Sequence, residues 1–266
     1  MNILEDITLS QMQDGKKMFY HNNDAFIGQT FIKNGRWYDN KIISIIDKYR
    51  IKNKNILDIG GFIGTVCIRL YDKIKNEQDT KIYVFEPRYH YCLKKNIEIN
   101  NMNDKIILHP IGLANVNGYI KDHLDGNPDI RSLASQPIGV FVDKNKKEIP
   151  INTQVISTKE ENCFELKKLD SLNLTNIGFI KIDAESFEIE IIKGAIETLK
   201  NNNYPPLYIE LLGGSDGVNA DPHKILYDKH SIEVTNILNN MGYLMNTPFV
   251  PGTHNDYLFI HKTQLQ

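Results

Sequence analysis

The stretch Asn55-Ile56-Leu57-Asp58-Ile59-Gly60-Gly61-Phe62-Ile63-Gly64-Thr65 decides the fold. It runs as an apolar strand through one acid into three glycines, and residues 65 to about 75 then carry the spacing of a helix. Asp58, Gly60 and Gly64 make the pattern D-x-G-x-x-x-G. A tight turn at the carboxyl end of a buried parallel strand needs glycine where a ligand must approach the backbone, because a Cβ would obstruct it. The helix that follows, beginning at Thr65, offers free N–H groups to an anionic group. Nucleotide-like cofactors are held in this way; a purely structural strand-to-helix turn is the alternative.

A second apolar strand, residues 81–87, ends in Glu86-Pro87, the acid standing 22 residues beyond Gly64. A carboxylate one strand over from the glycine turn can accept both hydroxyls of a ribose, in a nicotinamide enzyme or in an S-adenosylmethionine enzyme. The fingerprint G-x-G-x-x-G is missing, since Gly60, Gly61 and Gly64 have the wrong spacing. Asp58 would be awkward beside a pyrophosphate but suits a ligand with an amino group and a positive sulfonium. The pair Asp58 and Glu86 therefore points to S-adenosylmethionine, with a nicotinamide oxidoreductase as the weaker alternative.

The third landmark is residues 177–188, I-G-F-I-K-I-D-A-E-S-F-E, followed by Ile189, Ile192, Ile196 and Leu199. Those four recur at helical spacing and predict one amphipathic helix. Asp183 and Glu185 then sit where a buried strand opens into a helix, the end of an α/β sheet where ligands bind. Helix capping is the plainer reading of the same acids.

In order and spacing these segments resemble the FkbM family of S-adenosylmethionine-dependent methyltransferases, over roughly residues 35 to 262. The resemblance rests on L-D-I-G-G-F-I-G at 57–64, V-F-E-P at 84–87, K-K-N-I-E-I-N at 94–100, I-G-L-A-N-V-N-G at 111–118 and K-L-D-S-L at 168–172. F-I-K-I-D-A-E-S-F-E-I-E-I-I-K-G-A at 179–195, P-P-L-Y-I-E-L at 205–211, N-M-G-Y at 240–243 and D-Y-L-F-I at 256–260 complete it. The family usually has Ala-Asn where this chain has Gly61-Phe62, Ala at Gly112 and Gly at Ser186. The resemblance implies a Rossmann-like class I α/β fold: a mostly parallel seven-stranded sheet, helices on both faces and a C-terminal antiparallel strand pair. It also implies O-methylation of a sugar, glycan or related small molecule. Cofactor contacts would fall on Asp58, Gly60, Gly61, Gly64, Thr65, Glu86, Pro87, Ile111, Gly112 and Asp183.

Asp183, Glu185 and Glu210 are the carboxylates expected nearest the chemistry, with His223 as a partner for the base. An unperturbed carboxylate is a poor base for an alcohol, so a raised pKa or a histidine partner is needed. No metal is expected, although three gathered carboxylates could instead hold a divalent cation that acidifies the hydroxyl. A non-catalytic cofactor-binding scaffold in a glycan-assembly complex is the alternative from another class.

The 266 residues suit one α/β domain. A formal charge of −2 gives no electrostatic case for nucleic acid as partner. Three widely spaced cysteines, Cys67, Cys92 and Cys163, fit a reduced compartment. The acidic first residues lack an apolar signal region and no run approaches a membrane span, so no membrane partner is expected. Heavy use of Asn, Ile and Lys fits A/T-rich coding DNA, and the expected location is the cytoplasm, of the host if the gene is viral. Oligomeric state is left open.

Residues 1–52 are expected to append a hairpin over 26–37, turned at Asn34-Gly35, and a helix over 38–49 to a methyltransferase domain over 53–266. A helix is predicted over 88–101, a strand over 105–113 and a strand-rich insertion at about 119–168, with short strands at 138–142 and 153–157. A fifth strand over 207–212 leads into a polar functional loop reaching 224, a helix over 231–241, and the last strand pair at 242–247 and 256–261. Trp37 and Tyr38 are packing anchors or stack on a ligand.

Overall fold

The computed structural model describes residues 6–121, 148, 150–213, 222–253 and 255–265, and the backbone alone at 222–225. A hairpin comes first, β1 (Ile7–Gln11) and β2 (Lys17–His21), with Gly15 in its turn at a φ of 88°. Residues 26–37 are not the expected hairpin. Ile27–Phe31 form one π-helical turn and Ile32–Asn34 a 3-10 turn. The Asp24 carboxylate accepts the backbone N–H groups of Phe26, Ile27 and Gly28, which satisfies the open end of a helical turn. Gly35, at a φ of 68°, ends that turn, so Asn34-Gly35 acts as a left-handed helix stop.

The apolar runs that follow alternate as expected: α1 (Lys41–Tyr49), β3 (Asn55–Ile59), α2 (Cys67–Ile74), β4 (Ile82–Phe85), α3 (His90–Ile99) and β5 (Ile106–His109). The strand expected to run to 113 is interrupted by Pro110, which has no N–H for a ladder. Beyond it β6 (Gly112–Leu113) joins a separate three-stranded sheet of order β6-β8-β7, with β7 (Gly118–Lys121) and β8 (Cys163–Lys167). Of the short strands expected in the insertion, 138–142 lies outside the described residues, and at 153–157 there is only the bridge from Ile156 to Tyr119.

The central strand β9 (Ile177–Ile182) leads into two helices where one was expected, α4 (Glu188–Lys193) and α5 (Ile196–Asn201). They part at Gly194, where a Cβ would stand 2.1 Å from the Ala114 carbonyl oxygen. Asp170 caps the second, accepting Thr198 N–H at 2.7 Å. Then come β10 (Leu207–Leu211), α6 (Pro222–Asn240), β11 (Tyr243–Met245) and β12 (Asn255–His261). The helix α6 starts nine residues earlier than expected and takes His223 into its first turn.

The seven-stranded sheet has the order β11-β12-β10-β9-β3-β4-β5 and is parallel except for β12, which runs antiparallel to both neighbours. Strand alternation divides the core between its two faces. Leu57, Ile59, Ile180 and Ile182 pack with Ile189, Ile192, Val234 and Leu238 from α4 and α6. Ile56, Val84 and Phe179 pack with Ile46, Ile68 and Leu93 from α1, α2 and α3, and with Met18, Tyr20 and Ile32 of the amino-terminal segment. No helix among the described residues is long and apolar enough to cross a membrane.

Candidate active site

Strand order reverses between β3 and β9, and in open parallel sheets ligands bind outside the carboxyl ends of the strands at such a point. The two ends meet closely. A Cβ at Gly60 would lie 1.7 Å from the Asp183 carbonyl oxygen, and its φ of 77° is left-handed, so glycine is required first by the neighbouring strand's turn. Lys181 straddles the same junction. Its ammonium donates to the Gly60 carbonyl at 2.9 Å and pairs with Asp183 at 3.2 Å and Asp58 at 3.5 Å. Burial alone would push this lysine down, but Asp183 and Asp58 outweigh it and hold its pKa above the ordinary value. Asp58 is wholly buried beneath the floor and does not line the cavity; burial raises its pKa, with Lys181 opposing.

A cavity of about 600 Å³ opens above this junction, within the range of small-molecule sites. One end is walled by Gly60, Gly61, Thr65, Glu86, Pro87, Ile111 and Gly112, all expected from the sequence, whereas Gly64 packs on Leu93 and Ile68 instead. Phe85, Leu113, and Phe164 and Leu166 of β8 add a flat apolar surface there. The Glu86 carboxylate accepts three backbone N–H groups, from Phe62 and Arg88 at 2.8 Å and Tyr89 at 2.9 Å. Burial raises its pKa against those three bonds.

At the other end Asp183, Glu185 and Glu210 present carboxylate oxygens that all lie within 4.8 Å of one another. They come from the ends of β9 and β10 and the turn after β9. Burial, with Asp183, Glu210 and Glu188 nearby, pushes the Glu185 carboxyl up to about 10, against the pull of Lys181. Glu188 is driven to about 7 by burial although the Ala184 N–H donates to it at 2.9 Å. Glu185 and Ser186 both hold left-handed backbone, at φ of 51° and 78°, a conformation costly outside glycine. Ser186 Oγ is buried with no hydrogen-bond partner.

Several wall residues escaped the sequence reading: Phe26, Asp39, Arg69, Lys181 and Asp256. Only Lys181 carried a signal, a cation inside an apolar strand run. Asp256 faces Glu210 across the β10–β12 pair, a relation no local pattern encodes. The expected partner His223 stands in α6, its side chain outside the described residues, as are residues 214–221 of the polar loop. Tyr38 does line the cavity, while the Trp37 indole lies under the Arg69 guanidinium and donates to Asp14. Cys67, Cys92 and Cys163 are unpaired.

The strand order, the glycine turn at its reversal and the acid ending the next strand define a Rossmann-like methyltransferase fold. The chain belongs to the FkbM methyltransferases: residues 58–245 match the Methyltransferase FkbM domain. Among solved structures it is similar to the methyltransferase FkbM from Methylobacillus flagellatus KT, at 15% identity over 78% of this chain and 43% of that one, with a TM-score of 0.47. It thus spans less than half the length of that protein. The O-methyltransferase from Bacillus cereus in complex with SAH shares 11% identity over 84% of this chain and 80% of its own, TM-score 0.47. Precorrin-6y C5,15-methyltransferase from Geobacter metallireducens GS-15 shares 10% over 91% and 100%, TM-score 0.45. No curated protein matches the sequence significantly.

Proposed function

We propose that the chain transfers a methyl group from S-adenosylmethionine to a hydroxyl of a sugar, glycan or related small molecule. The cavity suits that cofactor: Glu86 stands in the wall where a ribose would be held, and Ile111, Phe85 and Phe164 offer a flat apolar surface for an adenine. When bound, S-adenosylmethionine supplies an activated methyl on a sulfonium. The protein's own work is to hold the hydroxyl in line and take its proton.

The observation that carries the reading is the gathering of Asp183, Glu185 and Glu210 at the strand reversal, where Glu185 is pushed up to about 10. A carboxylate of ordinary pKa is too weak a base for an alcohol, and burial, helped by the crowding of like charges, supplies the missing basicity. Lys181, paired to Asp183, fixes that carboxylate's orientation. A positive sulfonium nearby would favour the deprotonated cluster, readying the base as the cofactor arrives.

The 4.8 Å spacing supports a second reading, in which the three carboxylates hold a divalent cation that acidifies the hydroxyl. Labelled S-adenosylmethionine incubated with a panel of glycosides and glycans, with and without chelator, tests both. The proton-acceptor reading expects label on a hydroxyl and initial rates within about twofold after chelation. Activity lost to chelator and restored by magnesium or manganese would make the acids metal ligands, and no labelled product from any acceptor would support the scaffold.

A further inference from the structure

Resting on that reading of the cavity, we propose that Tyr38, with Phe26 beside it, is the acceptor platform, and that it takes a neutral hydroxylated ring of the sugar class in preference to a phosphorylated or carboxylated one.

Tyr38 and Phe26 line the cavity, yet stay 40% and 43% exposed, unlike the buried apolar wall at the cofactor end. With Phe31 they form an edge-to-face trio, ring centroids 5.1 to 5.7 Å apart. The platform is fixed to the core. Arg69 of α2 donates to the carbonyls of Tyr38 and Asp39 at 3.0 Å and of Thr65 at 2.6 Å, and lies 5.3 Å over the Trp37 ring. Its donors span both the amino-terminal segment and the start of the helix after the glycine turn. An aromatic face beside carboxylates complements a sugar, whose C–H face packs on the ring while its hydroxyls donate to acids.

Charge sets the preference within that class. Asp39, Glu210, Asp256 and Asp183 lie near enough to add to burial in raising the Tyr38 phenol pKa. Asp256 also stands directly opposite Glu210 in the ladder, a like-charge pair that disfavours any anion between them. Of the cations lining the cavity, Lys181 pairs with Asp58 and Asp183, Arg69 donates to backbone carbonyls, and Arg88 stands beside Glu86 at the other end. Tyr38, Phe26, Asp39 and Asp256 all fall outside residues 58–245, whereas the Gly60–Glu86 wall falls inside them. The matched domain thus covers the cofactor end and stops short of the platform residues.

Saturation-transfer NMR on the full chain loaded with S-adenosylhomocysteine tests the assignment, using methyl glucoside, galactoside, mannoside and rhamnoside as probes, with methyl glucuronoside and glucose 6-phosphate as anionic counterparts. At least one neutral glycoside should receive saturation. Tyr38→Ala should cut it by about fivefold, the scale of one aromatic contact, and Tyr38→Phe should keep it. S-adenosylhomocysteine affinity should stay within about twofold in both variants, showing the fold intact. No transfer to any neutral glycoside, transfer unchanged in Tyr38→Ala, or anionic probes receiving as much as neutral ones would overturn the proposal. Failure of the unaltered protein to bind S-adenosylhomocysteine would fall on the cofactor reading alone, because the glycoside measurement is repeated on the unloaded chain with the same Tyr38 dependence expected.

Discussion

At one end of the cavity Glu86 shares its two oxygens among three backbone N–H groups; at the other, Asp183, Glu185 and Glu210 face one another within 4.8 Å, on a turn whose backbone is left-handed at two successive side-chain-bearing residues. The first arrangement is satisfied before any ligand arrives and suits rigid binding. In the second, like charges and backbone strain are held together by the surrounding sheet, which suits a group that must change protonation state during a reaction. Lys181 joins the two, anchored to the Gly60 carbonyl on one side and Asp183 on the other.

The contrast breaks most visibly at Glu185. Glu185→Gln keeps shape but accepts no proton, so kcat should fall by about 10²–10⁴ if this residue is the base, with cofactor affinity little changed. The pH dependence has a definite sign. A base held at about 10 is mostly protonated at neutral pH, so the rate should climb with pH toward that value, and the variant should lose the climb. Stability runs the other way: between 4.5 and about 10 the folded chain holds a proton at Glu185 that the unfolded chain has lost. Its contribution is therefore greatest at low pH and disappears as pH rises through 10. Unchanged kcat in the variant would leave Glu185 as a turn residue and shift the base to Asp183 or Glu210.

Next in size is the joint between the two ends. Lys181→Met leaves Asp58 and Asp183 without their shared cation, Asp58 being wholly buried, and should cost about 3–5 kcal/mol in denaturant unfolding. A loss within a few tenths of a kcal/mol would mean that Lys181 does not sustain the reversal point. Smallest is Ser186→Gly, which relieves a φ of 78° and removes a buried hydroxyl without a partner. A gain of about 1 kcal/mol, or roughly 2–4 °C in melting temperature, is expected. A destabilised variant would show that the strained turn is compensated through the serine.

The satisfied end was the more legible in the sequence. The strand Asn55–Ile59, its glycine turn and the acid at 86 are local signals a few residues long, and each element fell where it was read, although Asp58 lies beneath the cavity floor and Gly64 packs on Leu93 and Ile68. Asn34-Gly35 misled, because a left-handed dipeptide serves a hairpin and a helix stop equally and Asp24, ten residues earlier, decided between them. Likewise the apolar spacing from Ile189 to Leu199 continued through Gly194, whose break is imposed by Ala114, just past β6 and far away in the chain. Asp183 and Glu185 were read from their own strand end. The convergence of Glu210 on them, and of Tyr38, Asp39 and Asp256 around them, depends on sheet order and on a segment outside the sheet. Phe62 and Ser186 were noted only as departures from the family, yet both occupy positive φ, at 47° and 78°, where the usual Asn and Gly sit more easily.

Titration calorimetry of S-adenosylmethionine and S-adenosylhomocysteine into the unaltered chain and into Glu86→Ala tests the central claim most directly. Removing that carboxylate also frees three backbone N–H groups, so the variant's melting point should drop and affinity must be read well below it. Both compounds should bind the unaltered chain, and the folded variant should bind each more weakly by about 1.5–3 kcal/mol, the scale of hydrogen bonds to a charged group. No binding to the unaltered chain, or equal affinity in a folded variant, would contradict the account.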